Sequence, residues 1–158
     1  MCLIVDANAA GQFLAKKSAV TNWLLGDKGD PRLVAAGALM EELARLDDVR
    51  RLLATLNRAG RLRSADAELL RDEEVRLCGG GRCRSNDIHV LALAVVSGAR
   101  TLATFDKALS GDFKNGDLIN RPRGRIYRDP EKHGHLLCHT PTSCGVNPNA
   151  QRRRRRVT

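Results

Sequence analysis

One stretch of the chain, residues 85–106 (SNDIHVLALAVVSGARTLATFD), constrains the fold more than any other. From Ile88 to Val96 the only polar residue is His89, so the predicted helix is apolar on nearly all of its faces. A helix of this kind has to be buried by other elements. A glycine turn, a short β-type segment at residues 101–104 and then Asp106 follow it. The stretch therefore predicts a helix and a strand inside one core.

Two acids lie at the ends of these buried elements. Asp87 precedes the helix and Asp106 follows the strand. Local explanations exist for both: Asp87 as a first-turn acid at the positive end of a helix capped by Ser85 or Asn86, and Asp106 as the start of a turn or the cap of a short helix. A functional interpretation requires acids in equivalent places elsewhere in the chain.

The amino terminus repeats the arrangement of an apolar run followed by an acid. Residues 2–5 (CLIV) form a short β-type run that ends at Asp6. In open α/β sheets, ligands bind beyond the carboxyl ends of the strands. We therefore expect Asp6 and Asp106 to point into one crevice. The alternative for Asp6 is the cap of a helix over residues 9–17.

A third candidate lies on a predicted helix after Gly37. One face of this helix is marked by Leu39, Leu43 and Leu46. Glu42 falls on that face, where an acid is costly unless it is paired or bound to a metal ion. Glu41 points away with Arg45, and it remains an alternative ligand because the phase of a helix is loosely fixed by sequence.

The order of the elements predicts the fold class. Helical spacing extends over residues 11–25, 48–59, 65–77 and 107–113, and β-type runs occupy residues 33–36, 118–119 and 124–127. The segments 48–59 and 65–77 are expected to form a helical hairpin around Gly60 and Arg61. The pattern indicates a three-layer α/β/α sandwich on a mostly parallel central sheet. We expect one domain over residues 1–128 and an extension with little structure of its own over residues 129–158.

Composition narrows the class of partner and compartment. The net charge is +9, and a run of five arginines supplies more than half of that excess. This balance favours a polyanionic partner such as nucleic acid. No secretory or transmembrane segment is evident, and five scattered cysteines do not resemble a disulfide framework, so we expect a reduced, cytoplasmic protein with no membrane partner.

Four acids that share one crevice have a chemical consequence. Asp6, Glu42, Asp87 and Asp106 cannot all be ionised in a dry site without raised pKa values or counter-cations. Hard oxygen ligands suit Mg²⁺ or Mn²⁺. Such a metal activates a water and stabilises charge on a phosphodiester, which requires no nucleophilic side chain.

These acids also carry a family resemblance. The segments CLIVDANAAG, ELARL, SNDIHVLALA and TLATFDKAL, in this order, resemble the motifs of PIN-domain proteins over roughly the first 127 residues. The resemblance implies divalent-metal-dependent ribonuclease activity on RNA, with the four acids as metal ligands. It also implies a polar second shell of Asn8, Ser85 and Thr104. Many small bacterial members are toxins with an antitoxin partner and are often homodimers, although the helical insert, the CxxxxC loop and the extension set this chain apart from the compact ones.

Several other patterns carry less information. A zinc site is one hypothesis, but the spacing of the candidate ligands fits no standard four-ligand pattern; they are Cys78, Cys83, His133, His135, Cys138, His139 and Cys144. The arginine run offers charge for RNA without aromatic residues that would read bases, or it is a passive end; it comprises Arg152, Arg153, Arg154, Arg155 and Arg156.

Two other functional classes fit parts of the pattern. One is a non-catalytic PIN-like module that binds RNA or protein, which the presence of all four acids disfavours. The other is a phosphate-handling receiver or phosphatase, which also uses an Asp after the first strand. That class requires a second Asp near the first and a Lys after a late strand, and neither is clear here, although Lys107 follows Asp106.

Overall fold

The computed structural model describes residues 2–137 and 144–148. The strands are β1 Cys2–Val5, β2 Arg32–Val34, β3 Leu62–Arg63, β4 Thr101–Ala103 and β5 Arg125–Tyr127. The helices are α1 Ala10–Phe13, α2 Ala19–Leu25, α3 Gly37–Ala44, α4 Asp47–Arg58, α5 Ala67–Gly79, α6 Ile88–Ser97, α7 Lys107–Lys114 and α8 Pro130–His133. Short 3₁₀ turns cover Ala7–Ala9 and Gly134–Leu137.

The five strands form one parallel sheet in the order β3-β2-β1-β4-β5. The chain starts at the central strand β1, winds outward to β3, and then returns to β4 on the other side of β1. The direction of winding therefore reverses between β1 and β4, which is where ligand crevices form in sheets of this type. The predicted α/β/α sandwich is confirmed, and its sheet is parallel throughout.

The core forms around β1, β4 and α6. All residues of β1 and β4 are buried, as expected for central strands of a parallel sheet that is covered on both faces. In α6 the buried residues include the run from Val90 to Ala94, and α6 packs against α3 and α5. Gly98 ends the helix with φ 84°, a left-handed conformation that favours glycine. The predicted burial of this helix is confirmed.

Three predicted elements differ from the structure. The two-residue strand β3 lies inside the expected hairpin around Gly60 and Arg61, where it pairs with β2. Leu118 and Ile119 are buried in a turn rather than a strand, because both of their N–H groups donate to the carbonyl oxygen of Asn115. The helix expected over residues 9–17 is shorter, and Ser18 caps the separate helix α2 instead.

The extension after β5 is more ordered than predicted where the structure describes it. Residues 130–137 form α8 and a 3₁₀ turn, and Leu136 and Leu137 are buried. Val146 forms an antiparallel bridge with Ser64. The prediction of little structure is therefore wrong for residues 130–137. The five arginines Arg152–Arg156 lie outside the described residues.

The cysteine prediction needs a correction. Cys2 of β1 and Cys144 are joined by a disulfide, with a Cα–Cα distance of 6.4 Å, so the expectation of thiols throughout is wrong for this pair. Cys78 and Cys83 are free thiols. The disulfide removes Cys144 from the hypothetical zinc ligands, and Cys138 and His139 lie outside the described residues.

No helix within the described part of the chain is long and apolar enough to cross a membrane. The longest, α5, has 13 residues and carries several charged side chains.

Candidate active site

Asp6 lies at the carboxyl end of β1, where the winding of the sheet reverses. Its backbone N–H donates to the carbonyl oxygen of Ala103 at 3.0 Å, which extends the pairing of β1 with β4 by one residue. The residue is only 3% exposed. Its Oδ2 atom accepts a hydrogen bond of 2.9 Å from the hydroxyl of Thr104. The parallel register of β1 and β4 thus places the Thr104 hydroxyl beside the Asp6 carboxylate.

Thr104 links Asp6 to the second acid. Its side-chain oxygen also accepts a hydrogen bond of 3.1 Å from the backbone N–H of Asp106. The Oδ1 atom of Asp106 accepts from the N–H of Leu109 at 2.9 Å and caps α7, so the local interpretation of Asp106 as a helix cap is confirmed. Its Oδ2 atom accepts no hydrogen bond from the residues that the structure describes.

Asp87 occupies the cap position of α6 without acting as a cap. Its carboxylate makes no hydrogen bond to the helix, whereas its backbone N–H donates to the hydroxyl oxygen of Ser85 at 2.9 Å. Ser85 is buried, and the hydrogen bond to its hydroxyl oxygen fixes the backbone at the start of α6. The Asp87 carboxylate is therefore held near the positive end of the helix and free of a structural partner there.

The three aspartates interact electrostatically. Burial is the largest cause that raises the pKa of Asp6 above its ordinary value, and the negative charges of Asp87 and Asp106 raise it further. The hydrogen bond from Thr104 and the nearby backbone N–H of Asn8 oppose this rise, although the Asp6 side chain does not form a cap hydrogen bond to the following 3₁₀ turn. The charges of Asp87 and Asp106, which come from two other elements, thus act on the carboxyl group of Asp6.

The fourth predicted acid, Glu42, has a different immediate partner. Its Oε1 atom lies 3.0 Å from Nε2 of His89 on α6, and its side chain is 35% exposed. His89 is two residues after Asp87, so this contact holds Glu42 against the helix that carries the third acid. Glu41 is exposed, which agrees with the predicted phase of α3. The expectation that Glu42 directly joins the three aspartates is not met in this conformation.

The described side chains do not form a closed metal-binding cluster. Among residues 2–137 and 144–148, no three His, Cys, Asp or Glu side chains are close enough to hold one ion. The chemistry of the donors fits Mg²⁺ or Mn²⁺. Within the described part of the chain, the Asp87 carboxylate and one Asp106 oxygen accept no hydrogen bond, and Asp6 is a buried acid with a raised pKa.

Two of the three predicted supporting residues contribute side chains. Ser85 and Thr104 each hold the backbone of an acid, and Thr104 also donates to Asp6. Asn8 is exposed and contributes only its backbone N–H near Asp6.

Sequence reasoning missed Asp112. This residue of α7 is 2% exposed, and its carboxylate accepts hydrogen bonds from the backbone N–H groups of Arg84 and Ser85 at 2.7–3.0 Å. It thereby anchors the segment that precedes Asp87. The signal was available, because Asp112 lies beside Phe113 on the buried face of α7, as Glu42 lies beside Leu43 on α3.

The chain was compared with models of protein families, with curated proteins and with solved structures, and nothing matched it in any of the three comparisons. The α/β/α fold is therefore established by the structure alone, and the PIN-domain resemblance is carried by the four sequence segments that contain the acids.

Proposed function

We propose that the chain is a PIN-type, divalent-metal-dependent endoribonuclease. The observation that carries the proposal is the buried Asp6 carboxylate, whose raised pKa reflects burial and the charges of Asp87 and Asp106 at the point where the sheet reverses direction. A fold seldom keeps such a group at a cost to its own stability unless the group has a function. A divalent cation relieves both the repulsion and the desolvation.

The residues divide the work between ligands and supports. Asp6, Asp87 and Asp106 would hold Mg²⁺ or Mn²⁺, and Glu42 would join from α3. The bound ion would activate a water and stabilise negative charge on the phosphodiester. Thr104 orients Asp6 through its hydroxyl, and Ser85 fixes the start of α6 and with it the position of Asp87.

An aromatic side chain beside the acids favours single-stranded RNA as the substrate. Phe105 lies between Thr104 and Asp106 and is 49% exposed. The buried ring of Phe13 supports it from behind, with the ring centroids 4.8 Å apart in a stacked arrangement. An exposed aromatic face supported in this way can stack on an unpaired base. The net charge of +9, five of which come from Arg152–Arg156, supplies attraction for the RNA backbone without base specificity.

The resemblance extends the proposal to biology. On the basis of the resemblance, we propose that the chain is the toxin of a toxin–antitoxin pair, that it binds an antitoxin and that it forms a homodimer. Light scattering on the purified full-length chain tests the dimer, and a small open reading frame next to its gene would support the antitoxin.

The test is cleavage of single-stranded RNA by the full-length chain with Mg²⁺, with Mn²⁺ and with a chelator. We expect cleavage only when a metal is present, and Asp6→Asn to lower the rate by at least about 100-fold, since even residues that only support metal ligands commonly contribute 10- to 100-fold. Asp48→Asn makes the same change of charge at an exposed site on α4 and should cleave normally. RNA binding without cleavage under all conditions would instead support a non-catalytic module.

A further inference from the structure

A second polar site lies between α7 and the edge strand β5. A cavity of about 330 Å³ is bounded by α7, β5 and α8, and its lining residues are Ser110, Lys114, Ile126, Arg128 and His133. Two of these side chains are permanently positive, a third is an imidazole, and none is acidic. This composition contrasts with the acid cluster at the other end of α7 and points to an anionic ligand.

The Arg128 guanidinium is only partly satisfied by the protein. Its Nη2 atom donates to the hydroxyl oxygen of Ser110 at 3.0 Å. Its Nε atom is buried and has no acceptor among the residues that the structure describes. Within the same residues, neither Arg128 nor Lys114 forms a salt bridge. The guanidinium therefore keeps a positive charge at the cavity without an acidic partner among these residues, and a bound anion would supply one.

His133 contributes a fixed donor. Its Nδ1 atom accepts hydrogen bonds from the backbone N–H groups of Arg128 and Asp129, at 3.0 and 3.1 Å. Because Nδ1 must carry a lone pair to accept them, the proton of the ring lies on Nε2, which is then a donor. An ammonium, a guanidinium and an imidazole N–H around one cavity form a set of donors that suits phosphate oxygens.

The cavity is close to the candidate active site along α7. Asp106 caps this helix, and Ser110 and Lys114 follow it by four and eight residues on the same side. A rise of 1.5 Å per residue places them about 6 and 12 Å from Asp106 along the helix axis. The Ser110 hydroxyl also donates to the carbonyl oxygen of Asp106 at 2.6 Å, which joins the two sites directly. One RNA strand with a phosphate at the acids would carry another phosphate within reach of this cavity.

We propose that the cavity between α7 and β5 binds a phosphate group of the RNA substrate and thereby positions the strand across the acids. This inference rests on the proposed function for the identity of the ligand. The phosphate belongs either to the backbone next to the cleaved bond or to the 5′ end of the strand, and the two sources share the same recognition chemistry.

The test is the affinity of the full-length chain for a fluorescent single-stranded RNA, measured in chelator at several salt concentrations. Lys114→Gln and Arg128→Gln should each weaken binding roughly five- to tenfold and lower the salt dependence by about one ion, as expected for loss of one phosphate contact. Arg58→Gln removes the same charge from an exposed position at the end of α4, next to the opposite edge of the sheet, and should leave affinity within about twofold. Arg128→Gln loses the hydrogen bond to Ser110 and could fail to fold for that reason. Lys114 is exposed, so Lys114→Gln is expected to fold and keeps the test decisive.

Each oligonucleotide is used with a 5′-phosphate and with a 5′-hydroxyl. If the variants lose affinity equally for both RNAs, the cavity binds a backbone phosphate. If they lose affinity only for the 5′-phosphorylated RNA, the cavity binds the terminal phosphate. Wild-type affinity and salt dependence of Lys114→Gln on both RNAs would overturn the proposal. Binding is measured without metal, whereas cleavage requires it. A failure of the wild-type chain to cleave RNA would therefore count against the proposed function but not against phosphate binding in the cavity.

Discussion

Two buried aspartates, Asp6 and Asp112, show how similar burial serves different purposes. They are 3% and 2% exposed, and both lie near the segment that leads into α6. The carboxylate of Asp112 accepts hydrogen bonds from the backbone N–H groups of Arg84 and Ser85. The carboxylate of Asp6 accepts a side-chain hydrogen bond from Thr104 and lies within the fields of two other acids.

The difference separates a structural acid from a candidate catalytic one. Asp112 stabilises its neighbours, because its negative charge is matched by the N–H groups that donate to it. Asp6 is destabilised as an anion, as the rise of its pKa indicates. Burial alone therefore does not single out a candidate catalytic acid in this fold, whereas burial among like charges does.

The largest expected effect on folding comes from Asp112→Ala. The substitution leaves two buried or half-buried backbone N–H groups without a partner, which should lower the free energy of unfolding by at least about 2 kcal/mol. Asp112→Asn, which keeps one acceptor oxygen, should lose less. Chemical denaturation of both variants and of the wild type measures this. If Asp112→Ala is as stable as the wild type, Asp112 does not have the structural role described above.

Glu42 and Glu41 offer a matched pair with a smaller effect. Glu42→Gln keeps the size of the side chain and an acceptor for His89 but removes the charge that a metal would require. Metal-dependent cleavage should fall by roughly tenfold or more. Glu41→Gln, one position away and exposed, should cleave RNA at a rate within about twofold of the wild type. Equal rates for the two variants would exclude Glu42 from the site.

The smallest effect is the dependence of Asp6→Asn stability on pH. A carboxyl group with a raised pKa in the folded state binds its proton more tightly there, so ionisation of Asp6 lowers the stability as pH rises above 3.8 and through the folded pKa. Without metal, Asp6→Asn should therefore be more stable than the wild type at neutral pH. The advantage should shrink as pH falls toward 4, in melts of both chains across this range. An advantage that grows on acidification would contradict the raised pKa.

Sequence patterns predicted strands correctly where an apolar run ends at an acid. The apolar runs that end at Asp6 and Asp106 predicted β1 and β4 correctly, because central parallel strands are apolar throughout. The strand β3 has only two residues, one of them an arginine, and carries no period to detect. Leu118 and Ile119 satisfy the hydrophobic criterion for a strand, but their N–H groups bond to Asn115 within a turn.

The residues of the candidate site could be predicted from the sequence more readily than the contacts that those residues make. Acids at the ends of strands can be located from sequence, because a parallel sheet brings such ends to one edge. The pairing of Glu42 with His89 depends on the way α3 packs against α6, which no local pattern encodes. The same holds for the disulfide between Cys2 and Cys144, whose partners are 142 residues apart.

The central claim, that Asp6 is the core of a divalent-metal site, is tested most directly by Mn²⁺ binding. Electron paramagnetic resonance of free Mn²⁺, titrated with the full-length chain at neutral pH, measures it without RNA. We expect the wild type and Asp48→Asn to bind Mn²⁺ alike and Asp6→Asn to bind at least about tenfold more weakly. Equal binding by the wild type and Asp6→Asn, or no binding by the wild type, would contradict the claim.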